Sequence, residues 1–214
     1  MHPRFLLLCI FCACAPLLLA DKSAGLQPLL NKPGKLVVDE QFTGSSLGGS
    51  WGAVQGDWQL RDGAVIGREK ASDDHAAVLF LGRTHRDAIL RFSFQLDGVK
   101  GFHLSLNHLH GHLFRISVDG GGLSLSKEKD KKNPQSKSET LAKVDGKFKT
   151  GTWHTLLVET RGGKVSVQAD NGAKLSTDNA ALDMEKTGYR FVTRGQSLRI
   201  ADVKVWEISP DAAK

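Results

Sequence analysis

From Leu36 onward apolar side chains recur at every second position, in short runs that stop at Gly, Asp or Asn. A period of two belongs to β-strands with one face turned to a core. RFSFQL (91 to 96) sets Phe92, Phe94 and Leu96 on one face against Arg91, Ser93 and Gln95 on the other. GFHLSL (101 to 106) sets Phe102, Leu104 and Leu106 against His103 and Ser105, and FRISV (114 to 118) sets Phe114, Ile116 and Val118 against Arg115 and Ser117. WQLRDGAVIG (58 to 67) predicts a hairpin turning at Arg61, Asp62 and Gly63. Further strands are predicted at WHTLLVET, KVSVQA, YRFVT and LRIADVKVWEI. No amphipathic helix of useful length and no repeat at constant spacing is present, so the pattern predicts one all-β domain over residues 36–209, with 210–214 as a tail. A domain of that size can bury the core of a two-sheet sandwich or jelly roll.

The first twenty residues break this pattern. A single Arg4 precedes FLLLCIFCACAPLLLA, and the polar DKSAG follows, which is the layout of a secretory signal peptide with cleavage expected after Ala20. The apolar core is too short, and too interrupted by Pro16, to span a membrane. Cys9, Cys12 and Cys14 all lie inside it, so the exported chain has neither a disulfide framework nor a cysteine nucleophile. A lipoprotein acylated at Cys14 is the lesser alternative, because FCAC lacks the aliphatic-small-small-Cys pattern. The expected location is the periplasm, the cell surface or the extracellular space. Residues 21–35, with Pro28, Pro33 and Gly34, read as a linker or irregular arm.

Loss of Arg4 leaves 28 basic against 23 acidic side chains, a charge of +5. The excess is concentrated in KEKDKKNPQSK (127 to 137), which has no aromatic residue to stack a base. That segment reads as a solvated loop, and nucleic acid is not an expected partner. P-loop, dinucleotide and EF-hand patterns are absent, as is a G-x-S-x-G elbow. Asp73, Asp74 and His75 read as ordinary exposed loop charges.

NHLHGHLFRISVD (107 to 119) carries His108, His110 and His112 at alternate positions. As one continuous strand it would put all three on the core face with Phe114, Ile116 and Val118, and buried unpartnered histidines are costly. A turn over residues 107–111 with the strand resuming near His112 is the better reading. Three histidines suit zinc in principle, but no carboxylate motif accompanies them. No metal and no cofactor is expected.

TGTWHTLLVETRGGKVSVQADNG (150 to 172), with a Trp-His pair opening its first strand, resembles the strand, turn, strand, Asn-Gly hairpin of laminin-G-like and concanavalin A-like domains. GDWQLRDGAVIG, HGHLFRISV and DMEKTGYRFVTRGQSLRIADVKVWE together resemble the secreted bacterial 3-keto-disaccharide hydrolase-like family. The resemblance covers nearly all of residues 36–207 and implies a concanavalin A-like jelly-roll sandwich of two antiparallel sheets, with a sugar site on the polar, concave face of one sheet. FRISVDG departs from that family, which often has an acidic or amide residue where this chain has Arg115 and Ser117. The β-glucanases of the same fold use an E-x-D-x-x-E strand. Glu40, Glu69, Glu128, Glu139, Glu159, Glu185 and Glu207 are too far apart to form it.

If strands 91–96, 101–106 and 114–118 are neighbours, Arg91, Ser93, Gln95, His103, Ser105, Arg115 and Ser117 make a single polar face. Arginine and histidine present fixed donors to sugar hydroxyls. The expected ligand-binding set is Arg91, His103 and Arg115, with Gln95, His110 and His112 at the margin; catalytic residues are unassigned. Trp58, Trp153 and Trp206 are expected in core or rim packing, and glycine-flanked Trp51 is the most exposed of the four. The function expected is exported carbohydrate binding. The alternatives are a 3-keto-glycoside hydrolase working on the same face, and an adhesion or structural module using the lysine-rich segment.

Overall fold

The computed structural model describes residues 25–210. The predicted signal peptide and its three cysteines lie outside the described residues, as does most of the C-terminal tail. The first strands are β1 (Pro33–Glu40), β2 (Trp51–Gln55), β3 (Asp57–Arg61), β4 (Ala64–Arg68) and β5 (Ala77–His85). Next come β6 (Ala88–Asp97), β7 (Gly101–His108), β8 (Gly111–Asp119), β9 (Gly122–Lys127) and β10 (Glu139–Asp145). The last are β11 (Trp153–Arg161), β12 (Lys164–Ala169), β13 (Lys174–Asp178), β14 (Lys186–Thr193) and β15 (Ser197–Ile208). Short 3-10 turns lie at Ala71–Asp73 and Ala180–Leu182.

These strands form two antiparallel sheets. The first runs β13-β12-β11-β6-β15-β4-β3, with β1 also paired to β15, and the second runs β10-β9-β8-β7-β14-β5-β2. The alternation read from the sequence sets the core. Phe92, Phe94 and Leu96 of the first sheet face Phe102, Leu104, Phe114, Ile116 and Phe191 of the second, all buried in one cluster. Ring centroids of Phe94 and Phe102 lie 4.9 Å apart across the sheet interface, and those of Phe92 and Phe191 5.1 Å. The Asp62-Gly63 turn has φ of 54° and 70°, the left-handed pair that a two-residue hairpin needs to match strand twist.

The structure corrects the assumption that strands β6, β7 and β8 are neighbours. β6 pairs with β11 and β15, whereas β7 pairs with β14 and β8. Between them Gly98 turns at φ 93° and Val99 is buried, so the chain crosses from one sheet to the other within three residues. Both strands still bury their apolar sides, but their polar sides face away from each other across the sandwich.

The segment expected as a linker is docked on the outer face of the first sheet. The fully buried Glu159 accepts the backbone N–H groups of Leu29 at 2.7 Å, Leu30 at 2.9 Å and Asn31 at 3.0 Å. Arg161 donates to the Leu30 carbonyl and Gln168 to the Gln27 carbonyl. Trp51 is half-buried and packs against Phe42 at 5.1 Å and Phe191 at 6.2 Å at one edge of the core. No helix among the described residues is long and apolar enough to cross a membrane.

Candidate functional site

The outer face of the second sheet is built from three rows of side chains in register. Arg190 of β14 lies opposite Ser105 of β7, and Ser105 opposite Arg115 of β8. The adjoining row is Val192, His103 and Ser117, and the row beyond is Gly188, Asn107 and His112. His112 joins this face through a bulge. Leu106 pairs with Phe114 but Asn107 pairs with His112, so Leu113 is an extra residue that restores the parity between His112 and Arg115. Nδ1 of His112 then donates to the Asn107 amide oxygen at 2.9 Å.

Above these rows is a cleft of about 350 Å³, walled further by Gln55, His75, Val78 and Arg194. None of its lining residues is a carboxylate. The guanidinium of Arg190 lies over the Phe80 ring at 5.2 Å, which supports its flat side. Arg115 Nε is 3.4 Å from Glu128 Oε1, an ion pair too poorly aligned to count as a hydrogen bond, and Arg194 pairs with Glu69 at 3.1 Å. Nε of Arg115, Nε of Arg190 and Oγ of Ser105 are buried polar atoms without a hydrogen-bond partner in the structure. Buried polar atoms are ordinarily satisfied by protein or ordered water, so three unsatisfied ones beneath one cleft mark it as a site for a polar partner.

Burial, then the neighbouring Arg115, His112 and Arg194, pushes His103 down to about 4 from its ordinary 6.5. Burial, then Arg115, Lys131 and Arg190, also lowers His112. Both imidazoles are therefore neutral near pH 7 and can accept as well as donate a hydrogen bond. Besides the histidines themselves, the neighbours that lower them, Arg115, Arg190, Arg194 and Lys131, are all cations.

Of the expected site residues, His103, His112 and Arg115 come together here. Arg91 and Gln95 do not, because β6 belongs to the other sheet. There the polar side chains are engaged with one another: Arg91 donates to Asp202 at 2.9 Å and lies over Trp206, Gln95 donates to the Gly151 carbonyl, and Ser93 bonds Thr155. His110 sits in the turn of the β7-β8 hairpin, which spans only Leu109 and His110 and is shorter than expected. It lines a separate cavity of about 430 Å³ with His108, Glu128, Asp130 and Lys132, and only His112 borders both. Lys132 Nζ is 3.2 Å from His110 Nδ1, and among the described residues no group of three His, Cys, Asp or Glu is placed to hold a metal ion.

Arg190, Arg194, Gln55 and His75 were not among the expected site residues. A signal for the first was present: in YRFVT, Arg190 alternates outward between Tyr189 and Phe191. His75 reaches the cleft without a carboxylate partner, its Nδ1 instead 2.8 Å from the Ala76 carbonyl, while Asp73 accepts the Gly56 N–H. His154 and Asp170 form the one dyad with catalytic appearance among the described residues, at 3.1 Å. The Lys149 N–H donates to its Nε2, so both ring nitrogens are occupied and the pair secures a loop.

This is a concanavalin A-like jelly-roll sandwich of two antiparallel sheets, and solved structures of that class superpose on it. A carbohydrate-binding module from Bacillus subtilis is similar over 74% of this chain and 96% of its own, with TM-score 0.60 and 10% identity. A non-specific endo-β-1,3(4)-glucanase is similar over 84% of this chain and 95% of its own, with TM-score 0.61 and 12% identity. A GlcNAcα1-4Gal-releasing endo-β-galactosidase from Clostridium perfringens is similar over 88% of this chain and 66% of its own, with TM-score 0.65 and 11% identity. No protein-family model matches the chain. No curated protein matches it.

Proposed function

We propose that this chain is an exported carbohydrate-binding domain whose ligand lies in the cleft on the outer face of the second sheet. The observation that carries this reading is the cleft floor, where buried polar atoms of Arg115, Arg190 and Ser105 make no hydrogen bond within the protein. His103 and His112 supply further donors and acceptors, and a cavity of about 350 Å³ falls within the range of small-ligand sites. The fold likeness to a carbohydrate-binding module supports the reading. Membership of the 3-keto-disaccharide hydrolase-like family, export through residues 1–20 and a concave shape for this face belong to the same proposal.

Hydrolysis is the second reading, favoured by one observation. His103 is a neutral imidazole beside Arg115, a combination able to polarise a keto oxygen and move a proton. The two-carboxylate chemistry of glycosidases has no support, because no carboxylate lines the cleft. Affinity electrophoresis through gels containing single polysaccharides, alongside incubation with a 3-keto-glycoside, separates the two. Retarded migration without released sugar is expected. Released sugar that disappears in His103→Ala would replace binding by catalysis, and neither retardation nor turnover would remove the assignment.

A further inference from the structure

The row Arg190, Ser105, Arg115 has a chemistry more specific than a surface for neutral hydroxyls. Adjacent strands are about 4.8 Å apart, so the two arginine backbones stand roughly 10 Å apart with only a serine between them. Ser105 is 1% exposed and its hydroxyl has no partner, which makes it the floor of a slot flanked by two guanidinium groups. Among the described residues no carboxylate pairs with Arg190, whose flat side is occupied by Phe80. Arg194 adds a third cation at the rim. The two nearby carboxylates, Glu128 and Glu69, stand outside the lining, beside Arg115 and Arg194.

On the reading that this cleft binds carbohydrate, we infer that its ligand is an anionic glycan whose oxyanion sits over Ser105 between Arg115 and Arg190. A planar fork of N–H donors matches the paired oxygens of a carboxylate or sulfate, and charge-assisted bonds of this kind are roughly twice as strong as neutral ones. The Ser105 hydroxyl donates the remaining bond. A neutral sugar would leave Arg190 desolvated without an opposing charge, which penalises binding in a partly closed cleft. The anion is supplied by a uronate carboxylate or by a sulfate ester, and the slot accepts the oxyanion geometry common to both.

The test is titration calorimetry of the purified protein with a neutral β-glucan, with oligogalacturonate and with a sulfated galactan, at low salt and at about 0.5 M salt, where surface charges are heavily screened. The account predicts binding to at least one anionic probe and at least about tenfold weaker binding to the neutral one. Arg190→Met and Arg115→Met should each weaken the anionic probe about tenfold or more, with Arg190→Lys intermediate. Near-UV circular dichroism reports whether each variant is folded, and Ser105→Ala is a mild second probe should Arg115→Met unfold. Whether the uronate or the sulfated arm binds identifies the source of the anion. Equal binding of the neutral glucan, unchanged in Arg190→Met, would overturn the inference while leaving a carbohydrate site. Anion binding that survives both arginine variants but is lost when Lys129, Lys131 and Lys132 become Gln would overturn it in favour of the lysine-rich loop. Binding of no glycan at all would overturn both readings.

Discussion

The docked arm depends on one buried carboxylate, and Glu159→Gln perturbs it with little change of shape. Oε1 accepts from the N–H groups of Leu30 and Asn31, and Oε2 from Leu29. A glutamine keeps one oxygen for Leu30 and Asn31 but turns an amide NH2 toward the Leu29 N–H, donor against donor. Bonds to a charged acceptor contribute about 1.5–3 kcal/mol each against about 1 kcal/mol for neutral ones. Losing one such bond and weakening two others gives roughly 3 kcal/mol. The arm can detach and hydrate its own N–H groups, so this loss falls on local docking, and the global transition moves less. Amide hydrogen exchange at Leu29, Leu30 and Asn31 should accelerate by about a hundredfold, while protection in β7 and β14 stays. Unchanged exchange at these three amides would refute the idea that Glu159 holds the arm.

Acid sensitivity follows from two histidines. Burial pushes both His85 and His103 to about 4 from 6.5, so between those values the unfolded chain binds more protons than the folded one. Stability is full above about pH 6.5 and falls as pH drops toward 4, by up to roughly 3 kcal/mol for each histidine. Urea midpoints from pH 7 to 4 should show the decline, and His85→Gln should flatten it; parallel slopes for the two proteins would contradict the assignment. Asp57, Asp73, Asp183 and Asp202 are held below the usual carboxylate range, so their contribution is lost only below about pH 4 and is separable. Gly67→Ala would place its methyl 2.2 Å from the Trp58 ring, and overpacking of this kind costs about 1–3 kcal/mol. A lowered melting temperature with a changed Trp58 near-UV signal is expected, and a wild-type melt would mean that the ring moves freely. His154→Phe leaves Asp170 and the Lys149 N–H unpartnered and should cost about 2 kcal/mol or more in denaturant, with glycan binding unchanged.

The sequence made the strands and their core faces legible, since Phe92, Phe94, Phe102, Leu104, Phe114 and Ile116 alternate as they pack. It did not show which strands are neighbours. Alternation fixes the two faces of a strand but carries no information on its partners, so Arg91 and Gln95 were grouped with His103 and Arg115 although the three-residue crossing at Gly98 separates them. The bulge at Leu113 was hidden for a related reason: one extra residue reverses the parity on which a face assignment rests, and it is what sets His112, expected at the margin of the ligand face, on the same side as Arg115. Glu159 did carry a signal, an acid in the apolar run LLVET, but its donors lie about 130 positions earlier in the chain. Arg190 was readable as outward-facing, and only the pairing of β14 with β7 brings it beside Ser105.

The most direct test of the central claim is to map amide chemical shifts in an isotope-labelled sample during titration with a glycan that binds. The account predicts that the shifts concentrate at His103, Ser105, Arg115, Ser117 and Arg190 on the second sheet. Shifts concentrated instead at Arg91, Ser93, Gln95 and Thr155 would place the ligand on the first sheet and contradict it.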